Sequence, residues 1–100
     1  MITVQNIHMN KEELKNKLTA EGFPIVYEWT DAPGTIYEDH AHQGRVAFYV
    51  TKGSVTFSGG ISQTVSAGER IDVPVGVHHT AVVGNEGCEY VVGQEVEGDA

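Results

Sequence analysis

Three histidines in this sequence are spaced so that they could bind a metal ion. His40 and His42 are separated by one alanine, and the later run PVGVHH ends at His79. Because side chains alternate along a strand, a strand that carries His40 and His42 points both imidazoles to one side. A third histidine from another strand would complete a facial set of nitrogen ligands, and imidazole is the commonest protein ligand for first-row divalent metals. These residues predict a metal site on a β-scaffold.

The composition limits the class of protein that can hold such a site. A chain of 100 residues forms one domain with a modest core, enough for a compact sandwich or barrel. The formal net charge of -8 argues against nucleic acid and anionic membrane surfaces as partners. The sequence has no apolar run long enough to span a membrane and no signal-peptide pattern. A single cysteine, Cys88, excludes an internal disulfide, so we expect a cytoplasmic location.

The first quarter of the chain predicts one short helix. Asn10 can cap it, and Glu13 stands at the capping-box position three residues later. Leu14 and Leu18 make a narrow apolar stripe, and Gly22 ends the helix. So thin a stripe favours a helix that lies on the outside of the body.

Beyond the helix, short strands alternate with glycine-rich turns. The predicted strands are residues 25–29, 35–42, 45–51, 54–58, 61–65, 69–73, 79–83 and 88–96. This spacing is typical of an all-β sandwich or barrel. A further strand near residues 2–7 could pair with a partner subunit, so we expect a homodimer, and residues 97–100 are expected to fray. The aromatic residues are assigned to core or subunit packing: Tyr27, Trp29, Tyr37, Phe48, Tyr49, Phe57 and Tyr90.

The segment around the first two histidines resembles the first motif of the cupin superfamily, G-x5-H-x-H-x3,4-E-x6-G. Gly34, His40, His42 and Gly53 stand at the motif positions. Val46 stands where the family has a glutamate, the usual fourth ligand. A valine cannot coordinate a metal, so chemistry should not be copied from relatives that keep the glutamate.

The segment that ends at the third histidine resembles the second cupin motif, G-x5-P-x-G-x2-H-x3-N. Gly68, Pro74, Gly76 and His79 match it, and Val83 stands in place of the asparagine. Two motifs in order, each with the correct internal spacing, are a far more specific signal than a lone H-x-H.

The resemblance to small single-domain cupins implies the architecture. It implies an all-β cupin jelly-roll β-barrel with one short N-terminal helix. We expect residues 1–100 to form one domain, with a strand and helix extension over 1–24 and the barrel over 25–96.

The resemblance also implies the ligand set. By the motif match, His40, His42 and His79 bind a divalent metal inside the barrel, whereas His78 should point out of it. Three imidazoles suit iron(II), zinc, nickel, manganese or copper, and the order of affinities does not identify the physiological metal.

Glu38 is the only nearby candidate for proton transfer. It is two residues before His40 and is expected to share the face of His40 and His42. Two alternatives stay open: three neutral imidazoles hold the metal alone, or Glu38 swings in as a substitute carboxylate.

Three functions are compatible with these residues. The first is a metal-dependent enzyme, oxygenase-like or isomerase-like, that acts on a small molecule. The second is a non-catalytic cupin that binds or senses a small ligand, which the loss of the glutamate at Val46 would suit. The third is a metal-free barrel that serves as an assembly domain.

Overall fold

The computed structural model describes residues 10–99 and shows an all-β fold with one short helix, as the sequence predicts. The strand expected near residues 2–7 lies outside the described residues. In chain order the elements are α1 (Lys11–Ala20), β1 (Ile25–Asp31), β2 (Ile36–His40), β3 (Val46–Gly59), β4 (Gln63–Ser66), β5 (Arg70–Val73) and β6 (His79–Gln94).

Helix α1 begins and packs as its sequence predicts. The Asn10 side chain accepts a hydrogen bond from the Glu13 backbone N–H, and the Glu13 side chain accepts one from the Asn10 N–H, each at 2.9 Å. This reciprocal pair satisfies two backbone donors that the first turn leaves unpaired. Leu14 and Leu18 are buried on the outer side of the barrel. Among the described residues, no helix is long and apolar enough to span a membrane.

Two long strands, β3 and β6, replace four of the predicted short ones. The turns expected at residues 52–53 and 84–87 are irregularities inside these strands, which continue to pair with each other on both sides of them. Gly53 and Gly87 have φ values of 74° and 78°, which bend the backbone without reversing it. A glycine in a strand-like segment can mark a turn or a bulge. Here it marks a bulge, because β3 and β6 pair with each other on both sides of it.

The bends in β3 and β6 produce two layers of antiparallel strands. The first half of β3 and the second half of β6 pair with each other and with β5 and β1. The second half of β3 and the first half of β6 pair with each other and with β4 and β2. Each layer therefore has four strands, and both long strands pass from one layer to the other.

The first layer has an apolar cluster on each face. Tyr90 and Val92 belong to the cluster inside the barrel, and Val91 between them belongs to the cluster under α1. This alternation follows from the two-residue period of a strand. The inner face of β6 therefore points into the space that holds the candidate site.

Gly53→Ala is expected to destabilise the fold by more than about 3 kcal/mol. A Cβ built on Gly53 would lie 1.9 Å from the Gly87 carbonyl oxygen, so the two long strands would have to separate. The matched control is Gly34→Ala, because Gly34 has φ 75° and a Cβ there meets nothing within 4 Å. The control should cost only about 1–2 kcal/mol for its positive φ. Urea unfolding measures both, and equal losses would contradict the close-approach argument.

Candidate metal centre

A cavity of about 190 Å³ lies inside the barrel among β1, β2, β3 and β6. Its lining is mainly aromatic and apolar, with a few polar groups. Such a cavity is typical of a site for a small molecule. The lining residues are Tyr27, Trp29, Asp31, Tyr37, His40, His42, Phe48, Val55, Phe57, His79, Ala81, Tyr90 and Val92.

The structure brings the three predicted histidines together at this cavity. His40 is the last residue of β2 and pairs across the ladder with His79, the first residue of β6. His42 follows just beyond β2, and its ring centroid lies 5.0 Å from that of His40 and 5.1 Å from that of His79. Ring nitrogens of all three, one from each residue, lie within 4.8 Å of one another. One ion could therefore contact all three side chains.

Backbone carbonyls fix how each imidazole presents its nitrogens. Each of the three histidines has Nδ1 at hydrogen-bond distance from a carbonyl oxygen. The acceptors for His40, His42 and His79 are the carbonyls of Glu38, Asp99 and Val77, at 2.7, 2.7 and 2.9 Å. A carbonyl oxygen only accepts, so Nδ1 must carry the proton. In the neutral ring Nε2 then keeps its lone pair, as a metal ligand requires.

Burial favours the neutral form of the His79 imidazole. This side chain is 1% exposed. Burial lowers the pKa of His79, and the neighbouring His40 and His42 lower it further. Neutral imidazole is the form that binds metals, so the environment favours the competent state.

The donor set fits a borderline divalent metal held by three nitrogens. Within residues 10–99, these three histidines form the group of side chains that could hold a metal ion, and no carboxylate belongs to it. Val46, at the position of the missing glutamate, is 1% exposed and packs in the apolar interior. Three protein ligands with an open position are typical of catalytic metal sites, whereas structural sites are closed by four.

Glu38 does not share the face of the histidines, and that expectation is wrong. Tyr37 pairs with Ala81 and His40 pairs with His79, so β2 has one extra residue between its two pairs. This bulge turns Tyr37, instead of Glu38, toward the cavity. Glu38 is exposed and absent from the cavity lining. Its carboxylate is also not among the atoms that could hold a metal ion together with the three histidines. The alternative in which Glu38 replaces the missing glutamate ligand is therefore not supported.

His78 points away from the site, as expected. Its side chain is 69% exposed, and its Nδ1 lies 3.0 Å from Oδ2 of Asp39. His78 therefore faces solvent just before β6, whereas its neighbour His79, the first residue of β6, faces the cavity.

Asp99 helps to hold His42 in place, which corrects the expectation of fraying for residues 97–99. Residue 100, the last of the tail expected to fray, lies outside the described residues. The Asp99 carboxylate accepts hydrogen bonds from the backbone N–H of Gln43 at 2.9 Å and of Gly44 at 3.0 Å. The Asp99 carbonyl meanwhile accepts from His42. Asp99 therefore connects the chain end to the loop after β2 and orients one ring of the centre.

A buried carboxylate, Asp31, lies at the cavity and was not among the predicted site residues. It is 8% exposed and accepts hydrogen bonds from Trp29 Nε1 at 3.0 Å, from Tyr37 at 2.7 and 2.9 Å, and from Tyr90 at 2.5 Å. The strand prediction ended at Trp29. A strand two residues longer places Asp31 on the face of Tyr27 and Trp29, and all three line the cavity.

The two tyrosines at Asp31 keep their protons. Burial, followed by the hydrogen bond to Asp31, raises the pKa of Tyr37 to about 12. The same two causes hold the pKa of Tyr90 well above its usual range. The assignment of these rings to plain packing was therefore incomplete, because both line the cavity and donate to a buried carboxylate.

Cys88 behaves as the small buried hydrophobe that the sequence predicts. It is 2% exposed, and burial raises the pKa of its thiol to about 11. The thiol is therefore neutral at ordinary pH and is outside the candidate ligand set.

Comparison with solved structures identifies the fold. An RmlC-like cupin from Shewanella frigidimarina is similar with a TM-score of 0.63 and 23% identity, over 74% of this chain and 68% of that one. An oxalate decarboxylase from Bacillus subtilis is similar with a TM-score of 0.64 and 21% identity, over 75% of this chain and 22% of that one. The polyketide cyclase RemF from Streptomyces resistomycificus has a TM-score of 0.60 and 27% identity, over 78% of this chain and 60% of that one.

These likenesses define the fold as that of the cupins. The chain has the cupin β-barrel fold, which confirms the resemblance drawn from its two motifs. No protein-family model and no curated protein matches the sequence. The chain spans about two thirds of the Shewanella cupin and about a fifth of the oxalate decarboxylase, and one fold hosts many functions. Function must therefore be argued from the site.

Proposed function

We propose that this chain is a small cupin that binds a divalent metal through His40, His42 and His79 and takes a small molecule into the adjoining cavity. The observation that carries the proposal is the hydrogen-bonding pattern that the three rings share. Each Nδ1 is bonded to a carbonyl, which leaves three Nε2 lone pairs for one ion. Metal-binding histidines regularly donate their second ring N–H to such an acceptor, whereas a surface histidine does not need to.

An oxygenase-like or isomerase-like activity is the one that this site supports best. A bound metal would supply Lewis-acid chemistry to the small molecule. The protein's own contribution would be the mostly aromatic wall, which orients the molecule. Phe57 stands 5.8 Å from His79 between ring centroids, and Phe48 stands 5.6 Å from Tyr90. Aromatic contact thus extends from the histidines to the Asp31 group.

A non-catalytic ligand-binding or sensing cupin is the second candidate. One observation favours it: the carboxylate that lines the cavity, Asp31, already accepts hydrogen bonds from three side chains. It is therefore poorly placed to exchange a proton with a ligand. Thermal shift against a metabolite panel separates the two candidates. Stabilisation without turnover, with iron(II) and dioxygen supplied, would favour binding.

Metal analysis of protein purified without a histidine tag tests the shared part of both candidates. We expect close to one equivalent of a divalent metal per chain after loading and desalting. Absence of stoichiometric metal would contradict the proposal. If Val46→Glu then created metal binding where the native chain had none, the barrel would be a metal-free relative that serves in assembly.

A homodimer and a cytoplasmic location stay predictions of the sequence. Size-exclusion chromatography with light scattering measures the first directly. A monomer at all concentrations would contradict it.

A further inference from the structure

The wall of the cavity formed by Asp31, Tyr37 and Tyr90 has an unusual hydrogen-bonding character. All three residues line the cavity, and both phenol hydroxyls meet the carboxylate. A tyrosine hydroxyl has one proton to donate and two lone pairs that accept. Each of these tyrosines directs its single proton to Asp31, so neither has a proton left for a ligand.

The Asp31 carboxylate is itself nearly saturated. A carboxylate offers about four lone-pair sites on its two oxygens. Oδ1 accepts from Trp29, Oδ2 accepts from Tyr90, and Tyr37 shares its one proton between the two oxygens. The acceptors that remain at this wall are the two tyrosine hydroxyl oxygens and at most one lone pair of the carboxylate. A ligand group placed against them must therefore be a hydrogen-bond donor.

The size and the walls of the cavity limit the rest of the ligand. An engineered apolar cavity of about 150 Å³ binds benzene, and this one measures about 190 Å³. The rings of Phe48 and Phe57 stand 6.2 Å apart between centroids, and both line the cavity. A single substituted aromatic ring fits that volume and those walls.

We infer that Asp31, Tyr37 and Tyr90 form a subsite for the hydroxyl of a compact aromatic alcohol or phenol. The subsite rests on the proposed function only for the opposite end of the ligand, which would face the histidines. Asp31 acts as a positioning residue: it fixes the direction of both tyrosine O–H bonds and so makes the wall accept instead of donate. The same wall would discriminate against ligands whose only polar atom there is an acceptor.

The test compares two probes of nearly equal size, phenol and toluene. NMR titration measures the affinity of the protein for each. Both are titrated into zinc-loaded and into metal-free protein, so the outcome does not depend on whether the histidines bind metal. In the unaltered chain we expect phenol to bind about tenfold more tightly than toluene, after correction for the water-to-octanol transfer of each probe. Equal corrected affinities would overturn the subsite, and so would failure of both probes to bind.

Asp31→Asn is the diagnostic variant. The amide N–H can donate to one tyrosine hydroxyl oxygen, which removes that acceptor from the wall. Phenol affinity should fall about fivefold or more while toluene affinity stays the same. The matched control is Asp72→Asn, an exposed carboxylate on β5, which should change neither. Unchanged phenol binding in Asp31→Asn would place the phenol at the histidines and overturn the subsite.

The comparison stays decisive if Asp31→Asn does not fold, since the phenol-to-toluene ratio of the unaltered chain tests the same wall. Metal stoichiometry measured on the same samples separates the two proposals. A protein without metal that still shows the phenol preference refutes the proposed function alone. A protein with metal but without the preference refutes the subsite alone.

Discussion

Replacing His79 with alanine is expected to lower the affinity of the protein for zinc by at least about a hundredfold. Loss of an outer hydrogen-bond partner of a metal ligand already costs about 10 to 100-fold, and this change removes a ligand itself. His79 is also the most enclosed of the three rings, at 1% exposure, so water cannot readily replace its nitrogen in the same place. Competition with a chromophoric chelator measures the affinity.

The neighbouring His78 provides the control for this result. Both are histidines on adjacent positions, but His78 is exposed and bonded to Asp39. His78→Ala should bind zinc as the unaltered chain does. His79→Gln, which keeps most of the side-chain volume, guards against a folding defect of the alanine variant. A His79 variant that is folded and binds zinc normally would refute the three-histidine centre.

Zinc should also stabilise the unaltered chain against unfolding, and the His79 variants should lose this effect. A ligand present at a hundred times its dissociation constant adds about 2.7 kcal/mol when it binds the folded state alone. Thermal unfolding with zinc and with a chelator gives the difference for each variant. Because each chain is compared with itself, any intrinsic cost of the substitution cancels.

The sequence predicted the fold well because the fold depends on repeated local signals. Strand alternation, the capping box at Asn10 and the two cupin motifs all agree with the structure. The turns at Gly53 and Gly87 were wrong because a glycine at positive φ serves a turn and a bulge equally well. The choice between them rests on pairing between β3 and β6, which lie far apart in sequence.

The site was predicted only as far as its motif extends. The three histidines come together as expected, because the motif encodes their positions. Glu38 was placed on the wrong face, because one inserted residue in β2 shifts every later side chain by one step. Asp31 was missed because the strand was ended two residues early. The contact between His42 and Asp99 spans 57 residues, and no local pattern reveals a partner at that distance.

Asp99→Ala is expected to weaken zinc binding by about 10 to 100-fold, although Asp99 is not a ligand. Its carbonyl accepts the Nδ1–H of His42 at 2.7 Å, and its carboxylate fixes that carbonyl by bonds to Gln43 and Gly44. The Asp99 side chain is 5% exposed, so solvent does little to screen these bonds. Without the carboxylate this segment loses its bonds to the loop after β2, and the carbonyl that orients the His42 ring is held less firmly.

Two further substitutions separate positioning from a general loss of structure. Glu97→Ala changes an exposed carboxylate in the same segment and should leave zinc affinity unchanged. Asp99→Asn keeps an oxygen that accepts from the two backbone N–H groups, so it should recover most of the affinity. A structural role alone would lower the free energy of unfolding of the metal-free chain and leave the zinc affinity of the folded chain intact.

The decisive quantity is therefore zinc affinity measured well below the unfolding transition, beside the unfolding free energy measured in chelator. We expect Asp99→Ala to cost about 1–3 kcal/mol in the second measurement, because it leaves two backbone donors without their partner. If affinity is unchanged while stability falls, Asp99 only anchors the chain end. If affinity falls and Asp99→Asn restores it, the segment at Asp99 sets the geometry of the centre, because the His42 ring then depends on a carbonyl that this carboxylate helps to keep in place.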